Sequence, residues 1–290
     1  MIICQIMGGL GNQMFQYALG RALATKLNLQ LRIDISGFER YRLHSYQLSS
    51  VFAGMEVATH EDLQNIIGWR ASPVAKRLVA KPQLAWLRGK HFLVEPHLSY
   101  WSDIDGLTGP AYLVGYWQSE KYFRAFAPII RESFAFMQPL SLQNQQVVDK
   151  IKNSQSVSLH IRRGDYVQNR QTLAIHGICS LDYYSNAIAY LAQHIEKPKF
   201  FIFSDDMEWV KSNLKIDFPC VYIDHNTDLE SFNDMRLMSQ CQHNIVANSS
   251  FSWWGAWLNA NPDKMVIAPK KWYANQNDVR DLCPVTWVKL

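Results

Sequence analysis

Cysteine is scarce in this chain and follows no pattern. Cys4, Cys179, Cys220, Cys241 and Cys283 are odd in number, widely spaced and mostly set in apolar runs. They read as reduced core thiols rather than a disulfide framework. No C-x-x-C and no H-x-x-x-H spacing occurs, which removes the common structural zinc sites. No apolar run approaches the ~20 residues that a membrane-spanning helix needs. Met1 to Met7 begins directly as a strand-like run without a basic region and cleavage site, so no secretory signal is expected. Charged residues make up only 19% of the chain, and a net charge of +4 by itself argues for neither nucleic acid nor lipid as a partner. Tracts of one residue type are absent and 48% of residues are hydrophobic, which excludes disorder. Together these features predict a globular, cytoplasmic protein.

A further absence is local. From Arg70 through Val94 there are six basic residues (Arg70, Lys76, Arg77, Lys81, Arg88, Lys90) and no acidic one, with Trp69, Trp86 and Phe92 interleaved. Such a run is either a solvated basic face or a patch resting on anionic lipid, here the inner face of the cytoplasmic membrane.

What is present is a strand–helix alternation. Met1 to Met7 reads as a buried strand, Gly8 to Gly11 as a turn, Asn12 to Leu27 as a helix and Leu29 to Ile33 as a second strand ending at Asp34. This β-α-β unit opens a Rossmann-like domain. Between about Tyr41 and Tyr122 four prolines break the pattern, and no element is assigned. Beyond Pro139 and the polar run Ser141 to Gln146, strands are predicted at Val157 to Ile161, Lys199 to Phe203, Cys220 to Ile223, Asn244 to Ala247 and Met265 to Ala268, with helices between them. At 290 residues, longer than one core usually supports, the chain divides into two Rossmann-like domains, 1–140 and 141–290. Open parallel sheets bind ligands at the carboxyl ends of their strands. The loops after Ile161, Phe203, Ile223 and Ala247 therefore surround one crevice. Two such halves match the α/β GT-B architecture, with domains facing across a cleft.

The segment His160-Ile161-Arg162-Arg163-Gly164-Asp165-Tyr166 ends a strand in two guanidinium groups, a glycine and a carboxylate. Neighbouring residues on extended chain point to opposite sides, so one arginine can grip a diphosphate while the other holds structure by pairing with a carboxylate. An ordinary salt-bridged strand end is the alternative. Asp205 follows a strand and can accept two hydrogen bonds from guanine, whereas Asp206 suits the cap of a helix starting at Met207. Asn248, Ser249 and Ser250 stand at a strand-to-helix junction, where hydroxyls and backbone N–H groups suit phosphate. Trp253, Trp254 and Trp257, at helical spacing, read as core. Gly8 to Gly11 open a helix whose N–H groups can meet an anion or a sugar oxygen, with Asn12 and Gln13 suited to hydroxyls. A dinucleotide fingerprint with Asp34 as ribose acid is the competing reading, weakened by Met14 where Gly or Ala belongs. Asp103-Ile104-Asp105 has D-x-D metal-clamp spacing but lies in a polar stretch and reads as a surface turn.

H-x-R-R-G-D-Y resembles the signature of the bacterial α-1,2-fucosyltransferases, glycosyltransferase family 11. Gly8 to Ala18, Gly115-Tyr116-Trp117-Gln118-Ser119-Glu120-Lys121-Tyr122-Phe123, Phe203 to Asp206 and Ala247 to Ala256 resemble the family's other motifs in order. Trp117 stands where the pattern has Phe. The resemblance implies an inverting, metal-independent transfer of L-fucose from GDP-β-L-fucose, a co-substrate with no further cofactor, to the 2-hydroxyl of a galactoside-terminated or lipid-linked glycan. No nucleic acid is implied. It puts Arg162 on the β-phosphate, with His160, Asp205, Asn248, Ser249, Ser250, Phe251, Gly9, Gly11 and Asn12 toward the donor, and Gln13, Gln118 and Glu120 toward the acceptor. Arg162, Asp165, His160 and Asn12 are the catalytic candidates, with Asp165 or His160 as base by position. Another GDP-deoxyhexose transferase and a non-catalytic nucleotide-sugar or glycan-binding module are the remaining alternatives.

Overall fold

The computed structural model describes residues 1–39, 44–164, 170–274 and 278–290. The chain forms two compact units, Met1–Met137 with Asp278–Leu282, and Gln138–Asn277 with Cys283–Leu290. A single cut at residue 140 therefore misses the short return of the chain to the first unit. Tertiary pairing holds that return: Ser119 donates its hydroxyl to the Asp281 carbonyl at 2.6 Å, and Lys121 Nζ meets the Asp281 carboxylate at 2.5 Å.

In the first unit, β1 (Ile2–Gln5), β2 (Leu31–Asp34), β3 (Phe92–Val94) and β4 (Ala111–Val114) form a parallel sheet in the order β2-β1-β4-β3. Helix α1 (Leu10–Leu27) links β1 to β2 and is buried on most of its circumference, as an element pressed against a sheet must be. β3 and β4 lie in the stretch where periodicity assigned nothing. They are three and four residues long and flanked by short 3₁₀ turns, too brief for a periodic signal.

The second unit carries β5 (Gln155–Ile161), β6 (Pro198–Ser204), β7 (Cys220–Ile223), β8 (His243–Ile245), β9 (Val266–Ala268) and β10 (Val288–Lys289). They form one parallel sheet in the order β10-β9-β8-β5-β6-β7. The continuous apolar run Phe200 to Phe203 of β6 follows from burial on both faces, whereas β5 alternates Val157, Leu159 and Ile161 with the buried polar residues Ser156, Ser158 and His160. Val157, Leu159, Phe200 and Ile202 pack under the helix Leu181–His194, while Phe201 and Phe203 point the other way onto Val147, Val148 and Leu237. Each such side chain contributes about 1.5–3 kcal/mol by leaving water. β5 and β6 are adjacent and in register from Gln155 against Pro198 to Ile161 against Ser204. Their carboxyl ends therefore arrive side by side, with Arg162 beside Asp205.

The five cysteines are all free, three of them buried. No helix among the described residues is long and apolar enough to cross a membrane.

Candidate active site

The carboxyl edge of the six-stranded sheet gathers Arg162, Arg163, Asp205 and Asp206. Arg162 Nε lies 3.2 Å from Asp205 Oδ2, and the backbone N–H of Arg163 donates to Asp205 Oδ1 at 2.8 Å. Both oxygens of this carboxylate thus have a donor within the protein. The sequence offers Asp205 to guanine; in the structure it orients Arg162. Gly164 makes the approach feasible, since a Cβ there would sit 2.9 Å from Asp205 Oδ2. The Arg162 side chain keeps a quarter of its surface exposed. Arg163 takes the structural role: its guanidinium stacks 3.5 Å over the Trp209 ring and its Nε lies 3.5 Å from Asp206. Asp206 also caps the helix Met207–Asn213 by accepting the Trp209 N–H.

His160 is on the face of β5 opposite Leu159, only 4% exposed, with its ring 5.8 Å from Phe251. Burial pushes its imidazole down to about 4; nearby Asp205 opposes this shift and Arg162 adds to it. His160 is therefore neutral near pH 7 and a weak proton acceptor, which argues against it as the base. Its Nδ1 has no hydrogen-bond partner among the described residues. Asp165, the other candidate base, lies outside the described residues.

Ser249 caps the helix Ser250–Leu258 by accepting the Phe251 N–H, and Ser250 opens its first turn. Asn248, expected toward the donor, is 3% exposed and turned inward. Its Nδ2 donates to the carbonyls of His176, Gly177 and Trp272 at 2.9, 3.3 and 3.2 Å, so its side chain ties three chain segments together. Trp253, Trp254 and Trp257 are core, packed on one another and on Trp287. A recess of about 580 Å³ lined by Ile195, Pro198, Phe218 and Pro219 lies at the opposite, amino-terminal edge of this sheet.

The first unit assembles a second group at its own carboxyl edge. Gly9 caps α1, Gly11 lies in the helix's first turn, and Asn12 Oδ1 accepts a 2.7 Å bond from Gln118 Nε2. Glu120 begins a 3₁₀ turn capped by Ser119. Gln13, expected to meet the acceptor, is instead fully buried. Its amide donates to the carbonyls of Gly8 and Ser45 and accepts the Gln47 N–H, pinning the loop before residue 48. Asp34 is bound by Lys76 at 2.5 Å and by the Tyr112 hydroxyl at 2.6 Å, at 3% exposure. That occupation leaves no ribose acid for the dinucleotide reading. The Asp103-Ile104-Asp105 segment is an exposed 3₁₀ turn around buried Ile104. Among the described residues, no group of three or more His, Cys, Asp or Glu is arranged to hold a metal.

Sequence reasoning passed over Glu95. It follows β3 directly and accepts the backbone N–H groups of Tyr116 and Trp117 at 2.7 and 2.9 Å. The available signal was a carboxylate immediately after the apolar run Phe92 to Val94, the same kind of signal that singled out Arg162 after β5.

The family model of Glycosyl transferase family 11 matches residues 99–290. The chain is 36% identical to an alpha-1,2-colitosyltransferase of Escherichia coli, over 100% of this chain and 98% of that protein. It is 32% identical to the O-antigen biosynthesis glycosyltransferase WbnK of Escherichia coli, over 98% of each. Among solved structures it resembles the fucosyltransferase NodZ from Bradyrhizobium, with a TM-score of 0.53, 13% identity, and coverage of 88% of this chain and 91% of that one. The two parallel-sheet units are those of the α/β GT-B type.

Proposed function

The chain belongs to glycosyl transferase family 11, and from that premise we propose that it transfers L-fucose from GDP-β-L-fucose to the 2-hydroxyl of a terminal galactose, with inversion and without metal. The observation that carries this reading is the Arg162–Asp205 pair at the carboxyl edge of the six-stranded sheet. Leaving-group departure places growing negative charge on the diphosphate. A guanidinium whose plane is set by a carboxylate meets that charge without reorganising, which is how preorganised donors lower a barrier. The N-terminal turn at Ser249 and Ser250 adds backbone N–H groups of the same polarity. Together these make the second unit the donor-binding domain, with Phe251 packed against His160 behind the arginine. Gln118 and Glu120 of the first unit present the acceptor, a growing glycan of the O-antigen kind, lipid-linked at the cytoplasmic face of the membrane.

Trp69, Val74, Leu78 and Trp86 are exposed, at 59, 65, 43 and 78%. They lie on the turn Gly68–Ala71, the helix Pro73–Val79 and the turn Pro82–Leu87, with exposed Arg77 and Lys81 among them. This favours membrane contact over a merely solvated basic face.

The similarity to a colitosyltransferase supports a second reading of the donor. Colitose differs from fucose by the missing 3-hydroxyl, so an arginine on the diphosphate serves either sugar. The deciding experiment offers GDP-fucose and GDP-colitose in competition to galactosides, with product linkages analysed and turnover repeated in excess EDTA. Preferred α-1,2-fucosylation that survives chelation is the expected result. Colitosyl product alone reassigns the donor, and GDP-sugar binding without transfer leaves a binding module.

A further inference from the structure

The transfer proposed above needs a group that takes the proton of the acceptor hydroxyl, and buried His160 is poorly suited to it. We infer that Glu95 is this general base, a role that rests on the transferase reading. Glu95 is the first residue after β3, on the sheet edge where Gly9 opens α1 and Gln118 bonds Asn12. All four strands of that sheet are parallel, so their carboxyl ends converge on one side, the side on which such sheets bind ligands.

The backbone is shaped around this carboxylate. Gly115 passes so close that a Cβ would lie 2.4 Å from Glu95 Cβ, a position no other residue fits. Trp117 adopts φ of +56°, a left-handed conformation that costs a non-glycine residue about 1–3 kcal/mol. Its packing against Trp101 and Tyr122 holds it there. The strained turn aims two successive N–H groups, one at each Glu95 oxygen. Each oxygen keeps a second lone pair, and the carboxylate is fixed but not saturated.

Four other acids of this unit are already engaged. Asp34 is locked by Lys76, Asp281 by Lys121, Asp62 by the cap of the helix His60–Ile67, and Asp105 by the Tyr100 hydroxyl. Glu95 has no ion-pair partner among the described residues, and adjoining Tyr116 is 40% exposed, so the turn is open to solvent. Burial raises the Glu95 carboxyl to about 7, against the pull of the two N–H groups and of His97. Tyr122, which feels the Glu95 charge, is the other titratable group facing it, and its hydroxyl oxygen accepts the Trp101 N–H at 2.9 Å. A base with an affinity near ambient pH is best matched to proton abstraction.

In the step itself the acceptor oxygen bonds to the anomeric carbon as the bond from that carbon to the diphosphate oxygen breaks. The bonding pair leaves with GDP, and the acceptor proton passes to Glu95 and then to solvent.

The test uses the full chain and whichever donor and acceptor pair the wild type turns over, so failure with fucose is scored on the wild type alone. Glu95→Gln and Glu95→Ala are compared with it for kcat, donor KM, melting temperature and pH profile. Expected are a kcat loss on the order of 10²–10⁴, the usual share of general base catalysis, an almost unchanged donor KM and loss of the acidic limb near pH 7. Added formate restores part of the rate to Glu95→Ala, because it supplies a carboxylate in the vacated place. A folded Glu95→Gln protein within about threefold of wild-type kcat overturns the role. So does a loss in both variants that tracks melting temperature and is not relieved by formate, which would make Glu95 only the clamp of the Gly115–Trp117 turn.

Discussion

Arg162 and Arg163 are adjacent in sequence, yet their surroundings divide their work. Arg163 lies flat on Trp209 beside Asp206, and Arg162 is held by Asp205 at an edge where a ligand can reach it. Interactions that strengthen only as charge develops raise kcat rather than tighten ground-state binding. Arg162→Ala is therefore expected to lose about 10²–10³ in kcat, comparable to removing other preorganised oxyanion donors. Lysine should rescue poorly, since a point charge lacks the planar fork. Melting temperature, GDP affinity and kcat measured on one sample decide the matter: a folded variant with near-normal kcat removes Arg162 from the chemistry. The strand-end position of the two arginines was legible beforehand, because a charged pair follows directly on the strand pattern ending at Ile161. The partner of each was not, since Asp205 and Trp209 lie more than 40 positions away and only the β5–β6 register brings them in.

Elements show where a sequence pattern and a fold part company. The acid-free stretch from Arg70 to Val94 reads as one basic run, but Lys76, on the inner face of the helix Pro73–Val79, is 5% exposed and paired with Asp34. Burial pushes the Asp34 carboxyl up, and Lys76, Tyr112 and Ser36 together outweigh it, holding the group below its ordinary range. Its pairing thus adds stability above the ordinary carboxylate pKa, and that contribution is lost as pH falls through the lowered value. Lys76→Met keeps the volume and strands the carboxylate, at an expected cost of about 3–5 kcal/mol near neutral pH. Urea unfolding across a pH series should show the gap from wild type narrowing as the medium becomes acidic and the stranded group protonates. A gap independent of pH would mean that packing, not the charge, sets the cost.

At the scale of the whole molecule, each unit is built on its own parallel sheet, and each gathers polar groups at its carboxyl edge. What remains of the basic stretch once Lys76 is removed is a surface bearing Trp69, Val74, Leu78 and Trp86 with Arg77 and Lys81. Each basic residue near an anionic membrane contributes about 1 kcal/mol, and salt screens that contribution. Sedimentation with anionic vesicles should recover the protein at low salt, less at high salt, and far less for the Trp69→Ala, Trp86→Ala double variant. Equal recovery with neutral and anionic vesicles would leave an ordinary solvated face.

The sequence by itself determined the α/β class, the first β-α-β unit, five of the six strands of the second sheet and the strand-end arginines. These are local properties, written in periodicity and in the residue types that follow an apolar run. Only the tertiary structure decided which polar residues face outward. Gln13, Asn248 and Asp34 carry the same side-chain chemistry as ligand-binding groups, and each is turned into the protein to satisfy backbone carbonyls or a buried cation. Glu95 is marked out by a turn that belongs to a different strand. The return of Asp278–Leu282 to the first unit was likewise hidden, because the bonds from Ser119 and Lys121 that hold it join residues about 160 positions apart.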